Sequence, residues 1–183
     1  DLASVLAASP SSVSMALEAT LDDAVRLRSD GTYAFTHAVF AAVSYVDDQA
    51  TRVMHLRAAE MIGNAPGRES VLAQHLASSG PAGAERAPLA FLDAGRAATA
   101  ELAYESAASH YSRAIALLDE SPAATAGHRV AALVGLGRAR THLGEHDAAR
   151  VAFDDAWLAA RDGRPSDVAA AAHDVRPVGR ADV

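Results

Sequence analysis

Apolar positions near the start of the chain recur every three or four residues, as they do along one side of a helix. Ser11 or Ser12 is expected to be the N-cap of this helix. The pattern then changes, because Leu27 and residues 33–35 flank Ser29-Asp30-Gly31, and Asp-Gly is a strong tight-turn signal between extended arms. The pattern therefore predicts one helix followed by one β-hairpin. The apolar positions of the helix are Val13, Leu17, Leu21 and Ala24.

Helical spacing resumes after the hairpin. One apolar stripe runs from Val39 to Val46, and a second helix carries residues 54–62, which Asp47-Asp48 can cap. A loop at Gly63–Gly67 separates this helix from a short third one over residues 71–77. These segments predict helices that connect the hairpin to the rest of the chain.

The next part of the chain repeats itself after 42 residues, since Phe91–Gly95 aligns with Leu133–Gly137 and Tyr111 with Phe153. Each aromatic residue has an alanine four residues before it and another three residues after it, so all three share one helix face and the ring fills the gap between paired helices. Because one helical hairpin cannot bury its apolar face alone, the hairpins are expected to stack into a solenoid. The predicted helices are Pro88 to about Ala100, Ala103 to Leu118, Gly127 to Leu143 and His146 to Arg161, and the alanines are Ala107, Ala114, Ala149 and Ala156.

Two aromatic residues of the last predicted helix, Phe153 and Trp157, leave two interpretations open. In the first they are core or capping residues at the end of the array. In the second they form an exposed stacking surface for a further repeat. Both interpretations predict that the two side chains are buried in a longer protein.

The composition explains why the packing has to be close. Half of the chain is apolar, but 46 of its 92 apolar residues are alanine and only two are isoleucine. Alanine has the best helix propensity, whereas a sheet needs β-branched and aromatic side chains. The sequence therefore predicts an all-α fold, namely a helical-hairpin solenoid preceded by a partial winged-helix segment with one β-hairpin.

These patterns divide the chain into four parts. Residues 1–36 are expected to be part of a winged helix, since a helix followed by a two-stranded hairpin is the back half of that unit. Residues 37–82 are connecting helices, residues 83–163 are the repeats, and residues 164–183 are a weakly ordered tail with a weak apolar stripe. An opening without methionine, at a helix-like stretch, leads us to expect a piece of a longer polypeptide.

Charge and residue usage exclude several chemistries. The net charge is −7 and the arginines are scattered, so the concentrated basic face that strong nucleic-acid binding needs is missing. The absence of lysine and cysteine excludes a Walker A P-loop, a Schiff-base lysine, a thiolate zinc site and a thiol nucleophile. No apolar run can span a bilayer and no export signal is visible, so a cytoplasmic location without membrane contact is expected.

One short segment matches a zinc-peptidase pattern. His142, Glu145 and His146 fit H-x-x-E-H, in which two histidines and a glutamate hold zinc and activate water. We expect no zinc here, because Gly144 falls at the turn between two helices, so the two histidines need not share a helix face. No glutamate follows Glu145 as a further ligand. An exposed turn is the favoured interpretation, and a zinc hydrolase ranks third among the functional hypotheses.

The remaining candidate groups are expected to be structural. His75 and His110 lie on otherwise apolar helix faces, where a histidine is more often a packing residue than a ligand. Three pairs of successive aspartates point to different sides of a helix, so they predict caps and solvated faces instead of acid/base dyads. Gly135-Leu136-Gly137 predicts a helix–helix contact, since no strand precedes it. The aspartate pairs are Asp22-Asp23, Asp47-Asp48 and Asp154-Asp155.

The two copies resemble tetratricopeptide repeats. Arg140 departs from the pattern, because an aromatic residue is usual there, and the period of 42 exceeds the ~34 residues of that family. The positions that fall at the signature spacings in the second copy are Leu133, Leu136, Gly137, Gly144, Ala149, Phe153 and Ala156.

A wider resemblance covers roughly residues 15–160. Four segments occur in the same order as in the large ATP-dependent LuxR-type bacterial transcriptional regulators, which are signalling ATPases. In that family a P-loop ATPase, a winged helix, a repeat arm and a helix-turn-helix DNA reader follow one another. The resemblance implies that this chain holds the end of the winged helix and the tetratricopeptide-like arm. The four segments are residues 33–45, 52–60, 72–80 and 102–114.

The same resemblance implies a function without catalytic residues or a metal in this segment. The segment would bind a small inducer or a protein partner in the repeat groove and couple that binding to the ATPase domain of the parent chain. By position, His37 would contact the phosphate of ATP or ADP held by that parent domain, and only in its presence. The alternative is a free-standing tetratricopeptide adaptor that binds a protein partner.

Overall fold

The computed structural model describes residues 6–20, 25–29, 32–35, 48–63, 65–120 and 125–163. These residues are mostly helical, which confirms the all-α prediction at the level of fold class. No helix among them is both long enough and apolar enough to traverse a membrane. The elements are α1 (Pro10–Thr20), β1 (Val25–Leu27), β2 (Tyr33–Phe35), α2 (Asp48–Ile62), α3 (Glu69–Ser78), α4 (Ala87–Ala100), α5 (Tyr104–Leu118), α6 (Ala126–His142) and α7 (His146–Asp162).

The first predicted helix is present over Pro10–Thr20, whereas Leu21 and Ala24 of its predicted stripe lie outside the described residues, and its cap differs from the prediction. Helix α1 begins at Pro10, and the hydroxyl oxygen of Ser9 accepts a hydrogen bond from the backbone N–H of Ser12 at 3.1 Å. The prediction of Ser11 or Ser12 as the N-cap is therefore wrong. Proline suits the first helical position, because its missing N–H has no partner there, and this places the cap at Ser9.

The predicted hairpin is present. Strands β1 and β2 pair antiparallel, with Val25 opposite Phe35 and Leu27 opposite Tyr33. The N–H of Arg28 donates to the carbonyl of Thr32 at 2.7 Å and extends the ladder towards the turn. Several predictions lie outside the described residues and stay predictions: the turn pair Asp30-Gly31, Asp22-Asp23, the stripe over residues 39–46, Asp47, His37 and the tail over residues 164–183.

From α2 onwards, each helix packs against the next helix along the chain, and α4 also contacts α6. Helix α3 is followed by a 3₁₀ turn over Gly80–Ala82. Connections of three residues join α4 to α5 and α6 to α7. Connections this short make each pair an antiparallel helical hairpin. The four helices of the two copies begin and end within one residue of the predicted positions.

Both hairpins turn in the same way, 42 residues apart. Leu102 and Gly144 have positive φ angles of 60° and 78°, and the N–H of the residue after each donates to the carbonyl five residues earlier at 2.9 Å. This is the hydrogen bond of a Schellman helix end, at which glycine is favoured because a Cβ atom is strained in the left-handed region. The hydroxyls of Thr99 and Thr141 each donate to the carbonyl four residues earlier at 2.8 Å. The 42-residue period is thus confirmed in the backbone as well as in the side chains.

The core of the described residues consists largely of alanine, and Phe91 and Tyr111 are the two aromatic rings buried in it. Tyr111 is only 4% exposed. Its ring lies between Gly95 of its own hairpin and Gly135 of the next. A Cβ atom on Gly95 would lie 2.7 Å from Cε1 of Tyr111, and one on Gly135 would overlap the Cζ end of the ring. The two glycines let α4 and α6 approach the same ring from two sides, so Tyr111 joins the two hairpins.

Phe153 occupies the matching position in the second hairpin but is covered on one side only. A Cβ atom on Gly137 would lie 2.7 Å from Cε1 of Phe153, so the inner side is as close as in the first hairpin. In the described part of the chain Phe153 is nevertheless 39% exposed, and Trp157, one turn further on, is 63% exposed. These values support the interpretation in which the two side chains form an exposed stacking surface.

The glycine–ring contacts make a prediction about stability. Gly95→Ala is expected to destabilise the fold by about 1–2 kcal/mol, because overpacking against the enclosed Tyr111 outweighs the gain in helix propensity of about 1 kcal/mol. Ser109→Ala, at an exposed position of α5, is the control and is expected to change the stability by less than about 0.5 kcal/mol, because its side chain has no close packing to disturb. Urea denaturation followed by circular dichroism at 222 nm measures both. Equal midpoints for the two variants would contradict this account of the packing.

Candidate ligand groove

A groove runs along one face of α4, beside the amino end of α3. Ala90, Asp93, Ala97 and Glu101 lie three or four residues apart and therefore share this face. Two adjoining cavities of about 360 and 190 Å³ make up the groove, and Glu69 and Ala97 line both. The remaining lining residues are Gly63, Ala65, Leu72, Gly67, Ser70, Ala94, Ala98, Ala103, Ser106 and His110.

Small side chains create this groove, and carboxylates border it. The side chains of α4 that form the floor of the groove are alanines. A concave surface therefore remains where larger side chains would fill the space. Glu69, Asp93 and Glu101 supply three carboxylates among the lining residues. The carboxylate of Glu69 accepts a hydrogen bond from the N–H of Gly67 at 3.2 Å, and that of Asp93 accepts one from Arg96 at 2.9 Å. The groove thus combines an apolar floor with a negatively charged border.

His110 is one of the residues that line the smaller cavity. Its ring is 6.0 Å from the ring of Phe91, measured between centroids, and both belong to the first hairpin. Burial lowers the pKa of His110 below the ordinary value for histidine. A histidine with a lowered pKa is neutral at pH 7, so it can both donate and accept one hydrogen bond to a bound ligand. The expectation that His110 is a packing residue agrees with its contact with Phe91.

A pair of histidines joins α2 to α3. The Nδ1 atoms of His55 and His75 lie 2.8 Å apart, so one ring donates and the other accepts. Burial, and then the neighbouring His55, lower the pKa of His75. Since a hydrogen bond between two imidazole rings requires one of them to be neutral, protonation of both rings would break the pair.

The residues of the zinc-peptidase pattern are divided between two helices, as predicted. His142 ends α6, and its ring stacks on Tyr104 with the centroids 4.2 Å apart and the planes 6° apart. His146 begins α7. Between them the carboxylate of Glu145 lies 3.8 Å from the guanidinium of Arg140, which also donates to the carbonyl of Ala148 at 3.2 Å. Among the described residues no three His, Asp or Glu side chains group closely enough to hold a metal ion.

The side chain of Arg140 stabilises the turn of the second hairpin. Its side chain spans the turn of the second hairpin, where an aromatic residue is usual, and fixes the start of α7 through the Ala148 carbonyl. The first hairpin has Ala98 at the matching position, which is buried. The two copies therefore share a backbone but stabilise their turns differently.

Sequence reasoning did not find the groove or the His55–His75 pair. The only signal for the groove is the spacing of Asp93, Ala97 and Glu101. This spacing places one carboxylate on each side of an alanine on the same helix face. No local signal links His55 to His75, because 20 residues separate them and the contact depends on how α2 packs on α3.

Comparisons of this chain with models of protein families, with curated proteins and with solved structures found no match. The interpretation of the groove therefore rests on its geometry and on the sequence pattern.

The histidine pair makes a prediction about pH. Because the pKa of His75 is lower in the folded chain than the ordinary value of 6.5, the unfolded chain binds its proton more tightly. The contribution of His75 to stability is therefore complete above pH 6.5 and is lost as the pH falls towards the lowered pKa. The urea midpoint is expected to decrease as the pH is lowered from 7.5 to 5.

Two matched variants distinguish the effect of the histidine pair from a general loss of stability in acid. His75→Asn is expected to flatten the decrease, whereas His146→Asn, at an exposed position at the start of α7, is expected to leave it unchanged. An equally steep decrease in His75→Asn would show that the pair does not cause the pH dependence.

Proposed function

We propose that this chain is a non-catalytic sensor and interaction segment of an ATP-dependent transcriptional regulator of the LuxR type. It would bind an inducer or a protein partner in the groove along α4 and couple that binding to an ATPase domain elsewhere in the parent chain. The observation that carries the proposal is a concave groove on the first of two helical hairpins that repeat after 42 residues.

The finer assignment of the fold belongs to this proposal. The shared turns at Leu102 and Gly144, and the glycine–ring contacts at Tyr111 and Phe153, support a tetratricopeptide-like solenoid in which each hairpin packs on the previous one. Helix α1 followed by the β1–β2 hairpin supports the end of a winged helix. The order of these elements is the order that the LuxR-type resemblance implies.

The groove favours a ligand with an apolar body and a cationic group. The alanine floor offers a surface without bulky side chains, and the carboxylates of Glu69 and Glu101 attract positive charge, whereas that of Asp93 is already paired with Arg96. A peptide with a lysine or arginine side chain and a small amine both meet this description. The proposed partner is thus selected by charge at the border of the groove and by shape at its floor.

Helix α4 supplies a route from the groove to the rest of the segment. One of its faces lines the groove through Ala90 and Ala97, and another packs through Gly95 on the enclosed ring of Tyr111. A ligand that binds better to one position of α4 favours that position. Because Tyr111 also contacts α6, a shift of α4 is passed on to the second hairpin.

The nucleotide contact of His37 remains a prediction, since this residue lies outside the described ranges. Its proposed role requires the phosphate of ATP or ADP bound to the parent ATPase domain. No step of the proposed signal within the two hairpins depends on it.

A free-standing tetratricopeptide adaptor is the alternative, and the flanking coding sequence separates the two. A P-loop ATPase encoded in frame upstream supports the regulator. If no ATPase is encoded there, the regulator is excluded and the adaptor is retained. Isothermal titration of the encoded ATPase domain against this chain then tests their contact, and absence of binding counts against the coupling.

Filling the groove tests the binding site itself. Ala97 lines both cavities, so Ala97→Phe in the parent regulator is expected to abolish induced expression from a reporter at its target promoter. Ala116→Phe, at an exposed position of α5, is the matched control and is expected to retain induction. Urea midpoints of the two variants should agree, which excludes misfolding as the cause. Normal induction by Ala97→Phe would rule out the groove as the inducer site.

A further inference from the structure

The two hairpins have the same structure but are covered differently. In the first, Tyr111 lies under α6 and is buried, and Ile115, one turn further on, is partly buried. The matching residues of the second hairpin are Phe153 and Trp157, and both are exposed among the described residues. The guanidinium of Arg161 lies 5.3 Å from the centre of the Trp157 ring, but this single contact leaves most of the ring open. The two copies therefore differ in their covering: α6 covers Tyr111 of the first hairpin, whereas no described helix covers Phe153 of the second.

The chain itself contains a sequence that matches this covering helix. Three segments of seven residues share one pattern, which has an apolar residue at the first and fourth positions and ends in Gly-Arg-Ala. Each segment begins 42 residues after the previous one. The first segment lies in α4 and the second in α6, where Leu133 and Leu136 are buried. The third lies beyond α7. The segments are Phe91–Ala97, Leu133–Ala139 and Val175–Ala181.

The start of the covering helix is also repeated. Thr125 caps α6 by accepting a hydrogen bond from the N–H of His128 at 3.3 Å. Asp167 stands 42 residues after Thr125, and aspartate is as good an N-cap residue as threonine. Val168, Ala172 and Val175 follow it at helical spacing. The weak apolar stripe alone predicts a weakly ordered tail, whereas the same residues aligned on the 42-residue period predict a helix.

We infer that residues 167–182 are the first helix of a third copy of the repeat and cover the exposed face of α7 at Phe153 and Trp157. The connection from the end of α7 at Asp162 to Asp167 is about as short as the connection from α5 to α6, so the segment reaches this face. The inference concerns the chain on its own and holds for either proposed function.

One residue of the third segment departs from the pattern. Pro177 takes the place of Gly135, the residue that touches the hydroxyl end of Tyr111. Phe153 has no hydroxyl, which leaves room for the larger proline side chain. Because proline lacks an N–H and clashes with the carbonyl four residues earlier, the sequence predicts a bend of the proposed helix at this residue.

Trp157 is the only tryptophan of the chain and reports on this contact directly. In the full chain its acrylamide quenching is expected to be well below that of free N-acetyltryptophanamide. The double variant Val175→Asp/Val178→Asp, at positions that match the buried Leu133 and Leu136, is expected to raise the quenching constant about twofold, because the covering helix detaches. Arg180→Asp matches the exposed Arg138 and is the control, with quenching as in the unchanged chain.

Two results would overturn the inference. One is quenching of the unchanged chain that equals the free indole or is insensitive to the double variant. The other is protection of Trp157 that grows with protein concentration between about 1 and 100 μM, because mass action would then assign the covering surface to a second copy of the chain. Circular dichroism of the double variant at 222 nm should retain most of the signal, since only the third-copy helix is affected.

Discussion

The ring of Tyr111, held between two glycines, is the contact on which the packing of the described helices depends. Gly95 and Gly135 come from different hairpins, and neither position has space for a Cβ atom. The ring therefore sets the distance between α4 and α5 and, at the same time, the distance between the hairpins. A chain whose apolar residues are half alanine has few other large side chains with which to set these distances. The alanines fill the interface that the ring and the glycines define.

The helices and their period follow from the sequence because they depend on local properties. Helix propensity, the 42-residue alignment and the turn at Gly144 are all visible within short windows. The equivalence of Leu102 and Gly144 is not visible, because leucine is a poor residue for a positive φ and only the backbone shows it there. The cap at Ser9 is missed for a simpler reason, since the serines on both sides of Pro10 are equally good caps and the proline decides between them.

The groove and the histidine pair could not be predicted, because both depend on the relative placement of separate helices. Glu69 belongs to α3 and Glu101 to the end of α4, and their common cavity arises only when these helices pack. His55 and His75 meet through the packing of α2 on α3 in the same way. Apolar periodicity shows which face of each helix is buried but not which residues of two buried faces meet. The rejected zinc pattern is the opposite case, because a single local feature, the turn at Gly144, separates its histidines.

In the proposed function, the close packing also determines how a ligand in the groove would act. Where a glycine lies against a ring with no space for a methyl group, a helix cannot move by small adjustments of side chains, so α4 moves as a rigid body or not at all. Such a movement displaces Tyr111, and Tyr111 displaces α6 through Gly135. At the second hairpin the same chain of contacts continues through Gly137 to Phe153. Its outer side is open among the described residues, so whatever covers that side receives the displacement. In the proposed function the repeat would couple the groove to the exposed aromatic face, and this coupling would act equally in both directions.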